Sequence, residues 1–305
     1  MNKQELTACI KQRVLQLGFD ACGVAAADIL LDRQESLRQW LNNGMNAEMG
    51  YMARNIDKRL DVRLLVPGAK SVVCMLISYK SQFEQTDGIP KVARYAYGND
   101  YHDIVRAKLK TLLYLIQQRL PECEGKGFVD SAPVLERAWA IKAGLGWIGK
   151  NGTLISKEFG SYTFLAELIV NIELEYNKPF ERSLCGSCTN CMQACPTNAI
   201  AKPCVIDARK CISYQTIEHK GELRGSLHGW LFGCDICQEV CPWNKKAKPV
   251  NHAEFTPIED ILSMTKDDWE NMNEEEFNSI FKHSALRRTG FNGIRRNLKY
   301  LSEIE

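Results

Sequence analysis

The chain has 305 residues, of which 45% are hydrophobic and 25% are charged, and its formal net charge is +2. This composition is typical of a soluble globular protein of about two domains, and the small charge excludes a bulk attraction to nucleic acid. The longest apolar runs, at 71–79 and 164–172, are far shorter than the ~20 residues that cross a bilayer. With no targeting segment recognised, we expect a cytoplasmic protein without membrane association.

The first part of the chain, to about residue 172, alternates helical and extended patterns. Leu6, Ile10, Val14 and Leu17 have the spacing of one helix face, which Gly18 would end. The next predicted elements are a strand over 71–79, a helix over 101–120, a helix over 133–143, and strands at 154–155 and 162–172. This alternation predicts an α/β domain.

Asp130 lies where a short apolar segment meets the predicted helix over 133–143. Two interpretations are open: Asp130 caps the helix, or it is a general acid at a cofactor pocket. Tyr101 and His102 belong to an aromatic run that either lines such a pocket or forms an edge of the core. The five histidines show no metal-ligand spacing.

The glycine-rich stretch 143–152 matches parts of two nucleotide-binding patterns. Gly144, Gly146 and Gly149 fit G-x-G-x-x-G, and Lys150 completes G-x-x-x-x-G-K. Both motifs need a strand before the loop and a helix after it, whereas here a helix precedes and a strand follows. We therefore exclude both and expect Gly144 to end the helix in a left-handed conformation. The loop is either a plain turn or a place where backbone approaches a ligand.

Nine of the thirteen cysteines lie between Cys185 and Cys241. In a reducing compartment such crowding indicates metal binding rather than disulfides. The first motif is C-x2-C-x2-C-x3-C-P, and the second, which ends at Cys241, is C-x2-C-x3-C-P. This spacing wraps three thiolates around one iron–sulfur cubane and carries the next cysteine to a second cluster. Zinc motifs usually pair two C-x2-C units instead, so two [4Fe–4S] clusters are favoured.

The crossover assigns four ligands to each cluster. The first set is Cys185, Cys188, Cys191 and Cys241. The second set is Cys195, Cys211, Cys234 and Cys237, although spacing barely separates Cys211 from Cys204. Two such clusters would form an electron relay that does no bond chemistry of its own, so the first domain should hold the reaction.

The last part of the chain is acidic and helical over 267–277 and then basic. Its basic residues either contact phosphates or form an ordinary solvated helix face. They are Arg287, Arg288, Arg295, Arg296 and Lys299. The predicted division of the chain is 1–175, 176–248 and 249–305.

In combination, several motifs resemble the epoxyqueuosine reductase family. They are F-V-D-S at 128–131, A-G-L-G-W-I-G-K-N at 143–151, F-G-S at 159–161, the two Cys-Pro segments, C-I-S-Y-Q-T at 211–216 and G-C-D-I-C-Q at 233–238. The resemblance implies a nitroreductase-like cobalamin domain, related to reductive dehalogenases, followed by a ferredoxin-like domain. Electrons from an external donor would pass through two clusters to cobalt. The enzyme would convert epoxyqueuosine at the tRNA wobble position to queuosine.

The same resemblance implies roles for individual residues. Asp130 would touch the cofactor and give a proton to the departing epoxide oxygen, and Cys211 is favoured over Cys204. Further cobalamin contacts are implied at Arg59, Ala93, Asn151, Thr153, Leu154 and Ser161, with Ser213 and Asp235 on the ferredoxin side. The helical-repeat extension that helps many members hold tRNA would be absent or very short, and we expect a monomer.

Two other functions fit parts of these observations. A reductive dehalogenase would share the cofactors but normally carries a twin-arginine signal, which the sequence lacks. A ferredoxin-type electron-transfer protein would share the cysteines but would not need the large first domain.

Overall fold

The structure, a computed structural model, describes residues 2–258 and 260–304. Its α-helices are α1 Lys3–Gln16, α2 Leu31–Asn42, α3 Ile56–Leu60, α4 Tyr101–Gln117, α5 Glu136–Lys142, α6 Asn190–Ala194, α7 Ile212–Ile217, α8 Ile236–Glu239, α9 Pro242–Lys246, α10 Lys266–Asn271, α11 Glu274–Ile280 and α12 Gly290–Ile304. Within these ranges no helix has the length and apolar character that crossing a membrane requires.

The strands are short outside one central sheet. They are β1 Ala21–Ala26, β2 Ser71–Ser78, β3 Lys91–Val92, β4 Gly125–Phe128, β5 Trp147–Ile148, β6 Leu154–Ile155, β7 Thr163–Val170, β8 Ile200–Lys202, β9 Val205–Ile206 and β10 Trp230–Phe232. The central sheet has the order β1-β2-β7-β4, and all of its pairings are antiparallel. The first half is therefore α+β, because its helices pack on an antiparallel sheet instead of connecting parallel strands.

Helices cover both faces of the central sheet. Val73 and Met75 face α1 and α4, where they pack with apolar residues such as Val105. The alternate residues Val72 and Cys74 face α5 and pack near the fully buried Trp139. Every residue of β2 is buried, which explains its nearly continuous apolar sequence. The predicted strand over 71–79 is confirmed to within one residue.

The cysteine-rich segment and the C-terminal segment pack together on the first half. Strand β10 pairs in parallel with β3. Val92 of β3 and Phe232 of β10 share one apolar cluster with Trp269 and Phe281 of the C-terminal segment. The predicted acidic helix over 267–277 is wrong in one respect, since it is two helices. Asn273 interrupts it and caps α11 with its side chain.

Two arginines of the basic C-terminal segment, Arg295 and Arg296, bind main-chain carbonyls of other elements. Arg296 donates to the carbonyls of His219 at 2.6 Å and Gln215 at 3.1 Å, and Arg295 donates to that of Glu270. These acceptors lie at or just beyond the C-terminal ends of α7 and α10, where carbonyls lack partners within their helices. Neither guanidinium is simply solvated, because each ties α12 to a neighbouring helix.

Candidate active site and cluster-binding segment

Asp130 lies just beyond β4 at a sharp bend in the backbone. Its φ is +48°, and the Ser131 N–H donates to the Val129 carbonyl at 2.5 Å. Helix α5 begins only at Glu136 and has Leu135 at its N-cap. The helix-cap interpretation of Asp130 is therefore wrong. The carboxylate is 60% exposed, so it is open to a substrate.

The first turn of α4 brings two side chains to Asp130. The Tyr101 hydroxyl donates to Asp130 Oδ2 at 2.5 Å, and His102 Nε2 lies 3.6 Å from the same oxygen. Asp100, the N-cap of α4, holds His102 Nδ1 at 2.7 Å. The core-edge interpretation of Tyr101 is confirmed, since its ring stacks on Phe164 with centroids 4.1 Å apart, while its hydroxyl reaches Asp130.

These contacts decide where the proton resides. Burial disfavours the imidazolium, but the hydrogen bond to Asp100 and the ion pair with Asp130 outweigh it and raise the pKa of His102 to about 9. The interaction with His102, opposed by desolvation, lowers the pKa of Asp130. At neutral pH His102 is therefore an imidazolium and Asp130 is a carboxylate.

Two further carboxyl groups lie behind Asp130. Glu136 Oε1 accepts the Asp130 backbone N–H, and burial followed by the Asp130 charge raises the pKa of Glu136 to about 8. Glu167 of β7 is completely buried between Cys74 and Phe128 in the sheet register, and neither of its oxygens has a hydrogen-bond partner. Burial, then the charges of Glu136 and Asp130, raise the pKa of Glu167 far above its usual range.

The sequence-based expectations missed both glutamates. Glu136 lies within the predicted helix over 133–143, and the structure places it half-buried against the Asp130 bend. Glu167 is a single acid within the apolar strand over 162–172, and a charge at a buried strand position was the signal that could have revealed it.

The glycine-rich stretch forms a short hairpin of β5 and β6 directly after α5. The expected order, helix before and strand after, is confirmed, and Gly144 is left-handed at φ +78°. A Cβ on Gly146 would lie 2.2 Å from the Ile155 carbonyl oxygen, and one on Gly149 would lie 2.5 Å from Ile155 Cδ1. The close backbone approach made by these two glycines is thus to the protein's own chain.

Several of the predicted cobalamin contacts lie on the Asp130 side. Arg137 of α5 donates to the Gly152 carbonyl and so ties this helix to the loop that carries Asn151 and Thr153. Asn151 Nδ2 is buried without a hydrogen-bond partner, while its Oδ1 accepts from the Thr153 hydroxyl at 2.9 Å. Leu154, at the end of the same loop, is buried.

Arg59 is buried in α3, between β1 and β2 in the chain. Its Nη2 donates to the Tyr51 carbonyl at 2.8 Å and its Nε to the Arg54 carbonyl at 3.3 Å. Burial, then the charge of Glu218, raises the pKa of Tyr51, and the Asp130 charge adds to this. Tyr51, which the sequence analysis did not single out, therefore belongs to the same charged surroundings as Asp130.

Two other predicted contacts are bound to protein partners. Ser161 donates its N–H to Asn244 Oδ1 at 2.6 Å and its hydroxyl to Gln238 Oε1 at 2.8 Å. Asp235 Oδ2 accepts the Arg94 N–H at 2.7 Å, and its Oδ1 accepts from Gln238 at 2.9 Å. This buried network joins the cysteine-rich segment to the first half. Of the remaining predicted contacts, Ala93 is buried and Ser213 is half-buried.

Members of the first predicted set influence one another electrostatically. Burial, then the thiolates of Cys185 and Cys241, raise the pKa of Cys191, and Cys188 adds to the effect. That these four cysteines bind one cluster stays a prediction.

Members of the second predicted set also influence one another electrostatically. Burial, then the thiolates of Cys234 and Cys211, raise the pKa of Cys237. Burial, opposed by a backbone hydrogen bond and aided by Cys211 and Cys195, raises the pKa of Cys234 to about 12. The Ala199 N–H donates to the Cys195 sulfur at 3.3 Å, and hydrogen bonds of this kind tune the sulfurs of iron–sulfur clusters.

Cys204 lies apart from the second set. It is exposed, sits between β8 and β9 with φ +67°, and has its sulfur 3.7 Å from the Ile148 carbonyl. Burial, then the Cys185 thiolate, raises the pKa of Cys204. The pKa of Cys211 is raised by burial and by the Cys195 thiolate. Across residues 2–258 and 260–304, no three Cys, His, Asp or Glu side chains form a group that could hold a metal ion.

The chain thus has an antiparallel α+β domain, in which Tyr101 and His102 lie at the Asp130 carboxylate, joined to a double Cys-Pro segment. These features define an iron–sulfur oxidoreductase. The family model for a 4Fe-4S double cluster binding domain matches residues 184–244, and that for epoxyqueuosine reductase QueG, DUF1730, matches residues 59–131. The chain is 47% identical over 303 residues to an epoxyqueuosine reductase of Cellulophaga algicola, covering 98% of this chain and 99% of that protein. The chain belongs to the epoxyqueuosine reductase family and is an oxidoreductase.

Solved structures agree with this family. A crystal structure of epoxyqueuosine reductase with an epoxyqueuosine-modified tRNA-Tyr stem loop matches with a TM-score of 0.90 and 32% identity, covering 98% of this chain and 81% of that one. The Bacillus subtilis enzyme, with its catalytic aspartate loop swung out of the active site, matches with a TM-score of 0.88 and 31% identity, covering 98% and 82%. A reductive dehalogenase linked to B12-dependent dehalogenation shares the fold, at 15% identity and a TM-score of 0.50 over 97% and 38%.

Proposed function

We propose that this chain reduces epoxyqueuosine in tRNA to queuosine, using cobalamin and two [4Fe–4S] clusters, in the cytoplasm. The observation that carries the proposal is the exposed Asp130 carboxylate held by Tyr101 and His102, in a chain of this family. The reaction takes two electrons and two protons, converts the epoxide to an alkene and releases its oxygen as water. The site must therefore deliver protons as well as electrons.

The tRNA substrate is supported by the related enzyme that was crystallised with a modified stem loop. That likeness extends over 98% of this chain, so the elements around Asp130 have counterparts in the RNA-bound protein. An exposed carboxylate is what such a substrate requires, because the modified base must reach the acid from outside. Which basic residues contact the phosphates is open to mutagenesis.

The two cysteine sets fit iron–sulfur clusters. Each set supplies four thiols, and the Ala199 N–H donates to the Cys195 sulfur at 3.3 Å. Buried thiols with raised pKa values lose their protons only when a metal stabilises the thiolate, so cluster binding should be coupled to proton release. In this arrangement Cys241 and Cys195 carry the chain across between the two clusters.

Cobalamin is supported by the shared fold with a B12-linked dehalogenase and by an unsatisfied donor in the predicted pocket. Asn151 Nδ2 is buried without a partner, and a corrinoid rim carries amide carbonyls that accept such hydrogen bonds. The residues that would hold the cofactor are Arg59, Ala93, Asp130, Asn151, Thr153, Leu154, Ser161, Ser213 and Asp235. When bound, cobalamin supplies a low-valent cobalt that can reduce the substrate. The protein's own contribution is orientation and proton delivery.

His102 and Asp130 deliver the proton together. The pKa of His102 is about 9, so this imidazole holds the proton at neutral pH, and its Nε2 lies 3.6 Å from the exposed Asp130 carboxylate. A proton that passes from His102 to Asp130 Oδ2 is placed on the group that faces the substrate. The Tyr101 hydroxyl keeps that oxygen in position.

The test is turnover by reconstituted protein. Purified protein is loaded anaerobically with iron, sulfide and cobalamin and given an epoxyqueuosine-modified stem loop with a strong reductant, after which nucleosides are analysed. We expect queuosine to form and cobalamin to be retained on gel filtration, as its absorption spectrum reports. Absence of queuosine with both cofactors bound would refute the proposed substrate, and loss of cobalamin would refute the cofactor.

A further inference from the structure

The bend that carries Asp130 has an anchor that is separate from Tyr101 and His102. The Asp130 backbone N–H donates to Glu136 Oε1, six residues along the chain. Glu136 is the first residue of α5, a helix that packs on β1, β2 and β7 through the buried Ala138, Trp139 and Ala140. The acceptor therefore belongs to a rigid element, whereas the donor belongs to a bend.

The bend needs such an anchor. Asp130 has φ +48°, a left-handed conformation that is strained for most L-residues and persists only where surrounding contacts hold it. Tyr101 and His102 hold only the side chain, and with a relaxed backbone the same carboxylate could point elsewhere. The hydrogen bond to Glu136 fixes the backbone, and thereby the direction in which Asp130 leaves the chain.

We propose that Glu136 is a positioning residue: its side chain holds the Asp130 bend in the conformation that directs the carboxylate at the substrate. This inference rests on the proposed function, in which Asp130 delivers the proton. Glu136 itself touches neither substrate nor cofactor in this proposal. It acts by accepting one hydrogen bond, so a glutamine, whose amide oxygen accepts equally well, should replace it.

Steady-state kinetics on the stem loop test the proposal with cofactor-loaded protein. For Glu136→Ala we expect kcat to fall on the order of 10-fold or more, because a misdirected catalytic group costs rate, while KM stays within about 2-fold. Glu136→Gln should keep kcat within about 3-fold of the unmodified enzyme. Unchanged kcat in Glu136→Ala would overturn the proposal, and so would an equal loss in both variants.

Hydrogen exchange supplies a readout without turnover. The peptide containing the Asp130 amide should exchange faster in Glu136→Ala than in Glu136→Gln or the unmodified protein. Equal exchange in all three would contradict the anchor. Glu274→Ala is the matched control, since Glu274 is likewise the first residue of a seven-residue helix, α11, far from the site. It removes the same helix-dipole contact and should leave kcat unchanged.

Asp130→Asn, measured in the same assay, distinguishes failure of proton delivery by Asp130 from failure of positioning by Glu136. If Asp130→Asn is fully active, the proton-delivery function fails and the anchor has nothing to position. If Asp130→Asn is inactive while Glu136→Ala is fully active, the function stands and the positioning role alone is refuted.

Discussion

His102 Nε2 lies 3.6 Å from Asp130 Oδ2, while Asp100 holds the other ring nitrogen at 2.7 Å. One imidazole therefore lies between two carboxylates, a geometry that keeps it protonated at neutral pH and keeps Asp130 ionised. His102 therefore holds the proton, and Asp130 is the group that faces the substrate in the proposed reaction.

Replacing Asp130 with Asn tests the point of proton delivery. The amide keeps the shape of the carboxylate but cannot pass a proton on, so turnover should fall at least ~100-fold, in the range that proton transfer contributes. Iron content and the cobalamin spectrum should stay unchanged. Full queuosine formation by this variant would remove Asp130 from the mechanism.

Replacing Asp100 with Asn tests proton storage. The pKa of His102 is about 9 in the folded protein and 6.5 in the absence of its partners. The imidazole is therefore protonated at neutral pH and loses its proton as pH rises through about 9. Removing one carboxylate should move the alkaline limb of kcat/KM to lower pH. Asp103→Asn, an exposed neighbour on the same turn, is the control. An unmoved limb in Asp100→Asn would contradict the storage role.

Replacing Cys211 with Ser tests the second cluster, and Cys204→Ser is its matched control. Cys211 is electrostatically linked to Cys195, Cys234 and Cys237, whereas Cys204 is exposed. Losing one of four ligands should remove about half of the bound iron, since each cluster needs four protein ligands. The control should bind as much iron as the unmodified protein. The reverse result would assign Cys204 to the cluster.

Replacing Glu167 with Gln should stabilise the protein at neutral pH. The pKa of the buried Glu167 is far above 4.5, so this carboxyl is protonated in the folded protein. As pH rises from the pKa of the unfolded chain towards that of the folded protein, the folded protein loses stability. Glutamine carries no such penalty. The increase in Tm should be larger at pH 8 than at pH 5. A variant less stable than the unmodified protein at both pH values would show that Glu167 has a partner.

Replacing Asn297 with Leu should destabilise the C-terminal packing. Asn297 is completely buried and donates to the carbonyls of Thr216 at 2.8 Å and Leu231 at 2.9 Å. Leucine removes the donor to the Leu231 carbonyl, at a cost of about 1–3 kcal/mol for an unsatisfied buried group, while the Thr216 carbonyl keeps the Thr289 hydroxyl at 3.2 Å. Denaturant unfolding measures the change. Asn292→Leu, at an exposed position of the same helix, should shift the free energy by less than about 0.5 kcal/mol.

The positions of β2 and β7, the two inner strands of the central sheet, followed from the sequence because burial dictates composition at short range. The strand over 71–79 and the order of helix and strand around Gly144 were correct for this reason. The strand directions did not follow, since apolar runs look alike in parallel and antiparallel sheets. The first half is consequently α+β rather than the α/β domain that alternation favoured.

The sequence by itself determined the cysteine motifs, since ligands two or three residues apart are positioned by local backbone geometry alone. It also carried the family resemblance that singled out Asp130. Only the tertiary structure brought the start of α4 to the end of β4 and so placed His102 beside that carboxylate. It alone buried Glu167 and directed Arg296 to the end of α7. Contacts between residues tens of positions apart depend on how helices pack on the sheet, and spacing along the chain does not encode that packing.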